Sequence, residues 1–137
     1  EPGSIYVYLS YGIHLDGNVV CSPVGEASAV LLRAGEVVTG VELARLRRWG
    51  AASDGQSRSD AELARGPGNL GKALGLSLSD NGELLGGGLF DFEPPERPAD
   101  RVEISTRVGI AKNPDALLRF WLRGEPSVSA YGRPLAG

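Results

Sequence analysis

Clustered and alternating apolar residues divide the first third of the chain into predicted strands. Residues 5–12 are rich in β-branched and aromatic side chains, which is typical of a strand. A turn signal at residues 16–18 (Asp-Gly-Asn) predicts that residues 5–12 and 18–22 form a hairpin. The apolar run at residues 27–34 predicts a buried strand that carries Arg33 near its end. We expect these three strands to form one antiparallel sheet.

Helical patterns come next along the chain. Thr39 and Glu42 have the spacing of a capping box, which predicts a helix that ends at Gly50. Apolar residues recur on one face of this helix, and arginines surround the other. Residues 51–60 are small and polar, so we predict a mobile loop there.

Glycine and proline mark the predicted helix ends and loops in the second half of the chain. Ser59 as an N-cap predicts a short helix, and residues 69–74 predict another that closes at Gly75. The Gly- and Pro-rich residues 80–100 are predicted to be mostly loop. Two further strands are predicted, at residues 102–104 and, as a last core strand, at residues 117–122. With no visible repeat, the simplest fold is a single α+β domain over residues 1–137.

Composition excludes several classes of function. The 137 residues are 42% hydrophobic and 23% charged, which is typical of a globular domain. No run of 18 apolar residues exists, so we expect no membrane span and no membrane partner. The single cysteine, Cys21, excludes an internal disulfide and a cysteine-built zinc site, and is expected to be a small buried residue. The sequence therefore predicts a reduced, metal-free, intracellular protein.

Charge and aromatic residues point to nucleic acid without establishing it. The net charge is −3, so affinity for DNA or RNA needs a local patch, for which Arg45, Arg47 and Arg48 are candidates. Tyr6 and Tyr8 share one strand face, and both core packing and base stacking fit them. Tyr11, beside a turn glycine, is harder to bury, and a protruding side chain suits a wedge between base pairs.

Other candidate chemistry is weaker. Residues 66–71 lack the Gly-Lys-Ser/Thr of a P-loop, so a tight turn before a helix is favoured over a phosphate site. Lys72 could be a Schiff-base nucleophile, but a solvated helix lysine is the better interpretation. His14 and Cys21 could pair as base and thiol, yet no third group accompanies them.

Several short segments, taken in order, resemble a known family. They are residues 2–12 (Pro-Gly-Ser-Ile-Tyr-Val-Tyr-Leu-Ser-Tyr-Gly), Asn18, residues 30–34 (Val-Leu-Leu-Arg-Ala), residues 64–70 (Ala-Arg-Gly-Pro-Gly-Asn-Leu), residues 73–75 (Ala-Leu-Gly), residues 107–110 (Arg-Val-Gly-Ile) and residues 119–120 (Arg-Phe). Over about residues 2–129 the chain resembles the alkyladenine (3-methyladenine) DNA glycosylases of the mammalian-enzyme type. The resemblance implies a curved, mostly antiparallel sheet (an open roll) with a protruding hairpin and a few short helices.

The resemblance also implies an enzyme of base excision repair. Such an enzyme flips an alkylated purine out of double-stranded DNA and hydrolyses its N-glycosidic bond. It is a monofunctional glycosylase that uses no cofactor, metal or lysine intermediate, and we expect a monomer. The chemistry is consistent, because a cationic purine leaves readily and gains from stacking, while an acid residue must activate water.

The resemblance assigns DNA contacts to four residues. Tyr11 is the wedge that fills the gap left by the flipped nucleotide. Ile13 and His14, next to it on the hairpin, contact DNA as well. Gly109 has no side chain, which lets DNA approach closely.

The resemblance assigns the base pocket and the attacking water to five further residues. Tyr8, with Tyr6 beside it, is the floor on which the flipped purine stacks. Asn18 senses the purine edge and rejects normal guanine through its exocyclic amino group. Arg33 and the backbone carbonyl of Val108 hold the attacking water.

The sequence departs from the family in one respect. The water-activating glutamate of the family stands in a Glu-Ala-Tyr element before the tyrosine strand, with a second stacking tyrosine and a pocket histidine nearby. None of the three has a counterpart here, because Glu1 is in a linker position and His14 lies beyond Tyr11. We expect this chain to be about the C-terminal two-thirds of the fold, with the remainder elsewhere, rather than a catalytically dead fragment.

Two rival functions stay open. The same hairpin with the arginines could be a non-catalytic nucleic-acid-binding fragment or module. Alternatively, the tyrosine face could line the apolar pocket of a small-molecule-binding β-roll. Base release and the salt dependence of DNA binding distinguish the three.

Overall fold

The computed structural model describes residues 1–51 and 58–130. Its strands and helices in chain order are β1 (Ile5–Ser10), β2 (His14–Val20), β3 (Ala29–Leu31), α1 (Val41–Trp49), α2 (Pro67–Leu74), β4 (Val102–Ser105) and β5 (Arg119–Leu122). β1, β2 and β3 form an antiparallel sheet in that order, and β4 pairs antiparallel with β5. Neither sheet is closed, so the predicted α+β fold with open antiparallel sheets and short helices is confirmed.

The β1–β2 hairpin turns earlier than the sequence predicts. Its turn lies between Ser10 and Ile13, and residues 16–18 are in the middle of β2. The Asp-Gly-Asn turn prediction is therefore wrong. Gly17 serves packing instead, because a Cβ there would lie 2.9 Å from Leu76 Cδ1.

The third strand is shorter and more exposed than predicted. Of the apolar run at residues 27–34, only Ala29–Leu31 pair with β2. Val30 is 57% exposed, since β3 is the edge strand of its sheet. The prediction of a buried strand is wrong, although the prediction that the three strands form one antiparallel sheet is confirmed. Cys21, expected to be buried, is exposed just after β2.

Glycines set the ends of the helices. α1 ends at Gly50 as predicted, but it begins after Gly40, which has a positive φ of 70° and no side-chain cap. The predicted capping box at Thr39 is therefore wrong. Ser59 does act as a cap, accepting a hydrogen bond from the Ala61 backbone N–H, although the capped element is only a 3₁₀ turn. α2 closes at Gly75 as predicted and begins two residues earlier than expected, at Pro67.

A small core joins the two helices and the connection between them. Its buried residues are Ala44, Leu63, Ala64 and Ala73, with Val37, Val41, Trp49 and Leu70 packed around them. α2 also lies against β2, where a Cβ on Gly71 would sit 1.9 Å from the Leu15 carbonyl oxygen. Such close approach requires glycine, so Gly71 fixes the distance between helix and hairpin.

The β4–β5 pair matches its predicted position but not its predicted burial. Phe120 is 58% exposed, and Leu117 and Leu118 precede the strand and are 60% exposed. Arg119 is instead the buried residue, with its guanidinium 4.4 Å from the centre of the Trp121 ring. The prediction of a core strand over residues 117–122 is therefore wrong.

The predicted loops have different outcomes. Residues 80–100 are mostly loop as predicted, with isolated bridges such as Leu85 to Phe90. Most of the loop predicted at residues 51–60 lies outside the described residues. Within the ranges the structure describes, no helix is long and apolar enough to cross a membrane.

Candidate base-binding face and hairpin tip

Two stacked tyrosines stand open on one face of β1. The Tyr6 and Tyr8 rings have centroids 5.6 Å apart and planes inclined by 26°. Tyr6 is 45% exposed and Tyr8 half-buried, whereas Ile5 and Val7 on the opposite face are buried. Strand alternation thus puts the aliphatic residues inside and the aromatic rings outside. Neither tyrosine is a buried core residue, and Tyr6 is the more accessible of the two.

Two buried polar residues of β2 lie beside the rings. Asp16 pairs with Tyr8 and Asn18 pairs with Tyr6 in the strand register, so the four side chains share one face. We call these four residues the tyrosine face. Asn18 is 7% exposed, and its Nδ2 donates a hydrogen bond of 3.1 Å to the Tyr6 carbonyl oxygen. This bond holds the amide in one orientation at the edge of the face.

Only one of the two carboxylate oxygens of Asp16 has a hydrogen-bond partner among the described residues. Its Oδ2 accepts a hydrogen bond of 3.5 Å from the Tyr8 hydroxyl. In the described ranges no group donates to Oδ1, which is buried. Burial and the Asp16 charge both raise the pKa of the Tyr8 hydroxyl. The phenol therefore keeps its proton at neutral pH and can donate it to the carboxylate.

Sequence reasoning missed Asp16 because it placed this residue in a turn. With the turn at residues 11–13, Asp16 and Tyr8 fall on the same side of the hairpin. Residues 14, 16 and 18 alternate with their neighbours and so share one face of a strand. This pattern identifies Asp16 only once the strand register is known.

The hairpin tip carries the most exposed tyrosine of the described residues. Tyr11 is 87% exposed and Ile13 73% exposed, so both project from the end of the hairpin. Tyr11 has a φ of 49° and Gly12 a φ of 69°, and Ile13 N–H closes the turn onto the Ser10 carbonyl oxygen. A positive φ is uncommon for tyrosine, and the tight turn between β1 and β2 imposes it here.

His14 begins β2 and leans on the start of α2. A Cβ on Gly68 would lie 2.6 Å from His14 Cγ, so only glycine at this helix position leaves room for the imidazole. His14 is exposed beside the tip residues. The contact ties the base of the hairpin tip to α2.

Arg33 and residues 108–109 belong to segments outside the hairpin. Arg33 is half-buried. It lies two residues after Leu31, which pairs with Asn18 of the tyrosine face. Val108 is 37% exposed, and Gly109 has a φ of 70° with open space around its Cβ direction. No described contact joins residues 108–109 to the tyrosine face.

Arg107, which sequence reasoning assigned no role, braces this loop. Its Nη2 donates to the Lys112 carbonyl oxygen at 2.6 Å and to that of Asn113 at 3.4 Å. Asn113 has a positive φ of 50°, so the guanidinium holds a tight turn just after Gly109. The loop therefore has a defined shape beside Val108 and Gly109.

The arginines of α1 are engaged within the protein. Arg45 pairs with Asp60 at 2.7 Å. Arg47 donates to the carbonyl oxygens of Ala73 and Leu74 at the end of α2, and Arg48 donates to that of Leu63. Burial and the neighbouring charge of Arg58 lower the pKa of Arg48. These bonds engage the three arginines within the protein, and the phosphate patch that the sequence suggested stays a prediction.

No metal centre is visible among the described side chains. In residues 1–51 and 58–130, no group of three or more His, Cys, Asp or Glu side chains could hold an ion. Lys72 lies near the end of α2, away from the tyrosines of β1 in sequence. Within the described part of the chain, nothing marks it as a nucleophile.

The fold and the exposed rings define the class first: an α+β protein with an open aromatic face beside a protruding hairpin. The model of the family "Methylpurine-DNA glycosylase (MPG)" matches residues 1–126. The chain belongs to this family.

Curated relatives have consistent names. The chain is 48% identical over 146 residues to a protein of Corynebacterium jeikeium, and 49% identical over 134 and 138 residues to proteins of Corynebacterium efficiens and Nocardia farcinica. Each is named "Putative 3-methyladenine DNA glycosylase". The alignments cover 98%, 96% and 96% of this chain and 66%, 66% and 60% of the relatives, so the chain spans somewhat less than two-thirds of their length.

Proposed function

We propose that this protein is a DNA repair glycosylase that removes alkylated purines from double-stranded DNA. The observation that carries the proposal is the stacked pair of the exposed Tyr6 and the half-buried Tyr8 on β1, with Tyr11 protruding at the tip of the same hairpin. Family membership and the names of the relatives support the reaction and the 3-methyladenine class of substrate. A base inside a duplex is out of reach, so such an enzyme must flip it out.

Tyr11 acts as the wedge. Its exposed ring enters the duplex and replaces the stacking of the flipped nucleotide, which offsets an unstacking cost of a few kcal/mol. Ile13 and His14 follow it into contact with DNA. The positive φ of Tyr11 fixes the direction in which the ring leaves the hairpin.

The tyrosine face receives the flipped purine. The base stacks on Tyr8, and stacking of this kind is worth about 1–3 kcal/mol. Tyr6 supports Tyr8 from one side, since its ring stacks on that of Tyr8. Asn18, whose amide is fixed by the Tyr6 carbonyl, lies at the purine edge and excludes the exocyclic amino group of guanine.

Hydrolysis uses water in this proposal. Arg33 and the carbonyl of Val108 position the water, and Gly109 leaves room for the DNA backbone. A carboxylate must act as general base, and we assign that role to no residue of 1–137. The enzyme is monofunctional and acts as a monomer without cofactor, metal or covalent lysine.

The test is base release by the full-length protein from a duplex with a single 7-methylguanine. We expect free 7-methylguanine, and an abasic strand that breaks only after alkali. Borohydride should trap no protein–DNA adduct, because no imine forms. Unmodified duplex and a Tyr8→Ala variant are the controls.

The alternatives give different results in the same assay. Salt-dependent binding without base release would identify a non-catalytic nucleic-acid-binding module. Salt-insensitive binding, or none, would favour the small-molecule β-roll. Either result would refute the glycosylase.

A further inference from the structure

The buried aspartate of the tyrosine face has no role in the proposed base removal. Asp16 is 4% exposed, and its Oδ1 has no hydrogen-bond donor among the residues that the structure describes. A buried oxygen without a donor destabilises the fold, and such exceptions in native proteins have a cause. A buried carboxylate with an oxygen that no described group donates to indicates a ligand that a negative charge stabilises.

The position of the carboxylate relative to Tyr8 shows how that charge acts. Asp16 lies directly opposite Tyr8 on the same face, and its Oδ2 accepts from the Tyr8 hydroxyl at 3.5 Å. A phenol that donates to a carboxylate has a more electron-rich ring. Such a ring attracts a cation on its face more strongly.

Modified purines fall into two kinds, which differ in their own charge. Purines alkylated at N3 or N7 carry a positive charge, whereas deaminated and etheno purines are neutral. A negative charge at the edge of the stacking ring attracts only the first kind. Stacking itself is available to both, because every base has a π-face.

We propose that Asp16 is a specificity-determining residue, which selects positively charged alkylated purines over neutral modified purines by presenting its carboxylate to the Tyr8 ring. This inference rests on the proposed glycosylase function. When the C1′–N bond breaks, its electron pair goes to the base and the positive charge moves to the sugar. The attraction between Asp16 and the base therefore acts on the flipped, intact nucleotide, and its main effect is on binding.

The experiment compares Asp16→Asn with the wild-type full-length protein on two duplexes. One carries 7-methylguanine and the other hypoxanthine, both with a 2′-fluoro sugar that slows base loss. We expect Asp16→Asn to weaken binding of the 7-methylguanine duplex about tenfold more than binding of the hypoxanthine duplex. Base release from the corresponding 2′-deoxy duplexes should show the same change in preference.

Two further variants locate the effect. Glu26→Gln removes one negative charge from an exposed position between β2 and β3 and should leave the preference unchanged. Tyr8→Phe keeps the ring and Asp16 but removes the hydroxyl, and we expect about a threefold loss of preference. Tyr8→Phe also tests the inference if Asp16→Asn does not fold, which a thermal melt reveals.

The outcomes separate this inference from the proposed function. Equal losses on both duplexes would make Asp16 a structural residue and overturn the inference. Loss of base release from both lesions with binding retained would place Asp16 in the chemical step and would also overturn it. Absence of base release from every lesion by the wild-type protein would refute the glycosylase function itself.

Discussion

Individual side chains of the hairpin divide its two faces between folding and ligand contact. Ile5 and Val7 are buried, while Tyr6 and Tyr8 on the alternate positions remain accessible. Asn18 combines the two features, since it is buried like the folding residues and lies beside Tyr6 on the tyrosine face. Its amide orientation is fixed by a main-chain acceptor, so in the proposed function its contact with a purine is fixed as well.

Shortening Asn18 tests its role as the guanine filter. We expect Asn18→Ala and Asn18→Ser to raise release of normal guanine, relative to 7-methylguanine, about tenfold or more. Steric rejection in a pocket is worth about 1–3 kcal/mol, which sets this magnitude. Base release from matched duplexes measures it, and unchanged discrimination in both variants would remove the assigned role.

At the scale of elements, the position of the hairpin depends on α2. Gly71 packs against the Leu15 carbonyl, and Gly68 packs against the His14 ring. Two glycines on one helix therefore allow β2 to approach α2 closely. The helix thereby supports the strand that carries Asp16 and Asn18.

Adding a methyl group at Gly71 should separate these elements. A Cβ only 1.9 Å from a backbone oxygen forces α2 or β2 to move, so we expect Gly71→Ala to lower the free energy of unfolding by about 3 kcal/mol. Urea denaturation measures the change. Gly35→Ala is the control, because its Cβ would meet only Leu70 Cδ1 at 3.8 Å. Similar small losses in both variants would contradict this close packing of α2 on β2.

Sequence patterns located most elements but not their ends. The strands of the first sheet, both helices and the β4 strand follow from composition and periodicity. The hairpin turn does not, because residues 16–18 have strong turn propensity but are held in β2 by pairing with residues 6–8. Tertiary pairing overrides local propensity here. Thr39 fails as a cap for a related reason: Gly40 adopts the positive φ that begins α1.

The candidate site was predictable only in part. Tyr8, Tyr11 and Asn18 were identified through family resemblance, and the structure places Tyr8 and Asn18 on one face and Tyr11 at the tip. Asp16 was not identified, because its importance depends on the strand register. The exposure of Tyr6 was also ambiguous, since alternation alone does not tell which face of a strand is covered.

At the scale of the molecule, core packing and the proposed DNA contacts involve different side chains. The arginines of α1 donate to carbonyl oxygens within the protein, and we propose that the hairpin tip and the tyrosine face contact DNA. With a net charge of −3, the chain has no general attraction for DNA. In the proposed function, insertion of Tyr11 and stacking on Tyr8 supply much of the discrimination between damaged and normal sites.

The wedge is the central claim, and one comparison tests it most directly. Release of 7-methylguanine by the full-length protein and by Tyr11→Ala is measured on paired and on mismatched duplexes. A wedge offsets unstacking, so we expect about a thirtyfold loss on paired DNA, equivalent to about 2 kcal/mol, and less than about a threefold loss opposite a mismatch. Equal losses on the two duplexes would contradict the wedge.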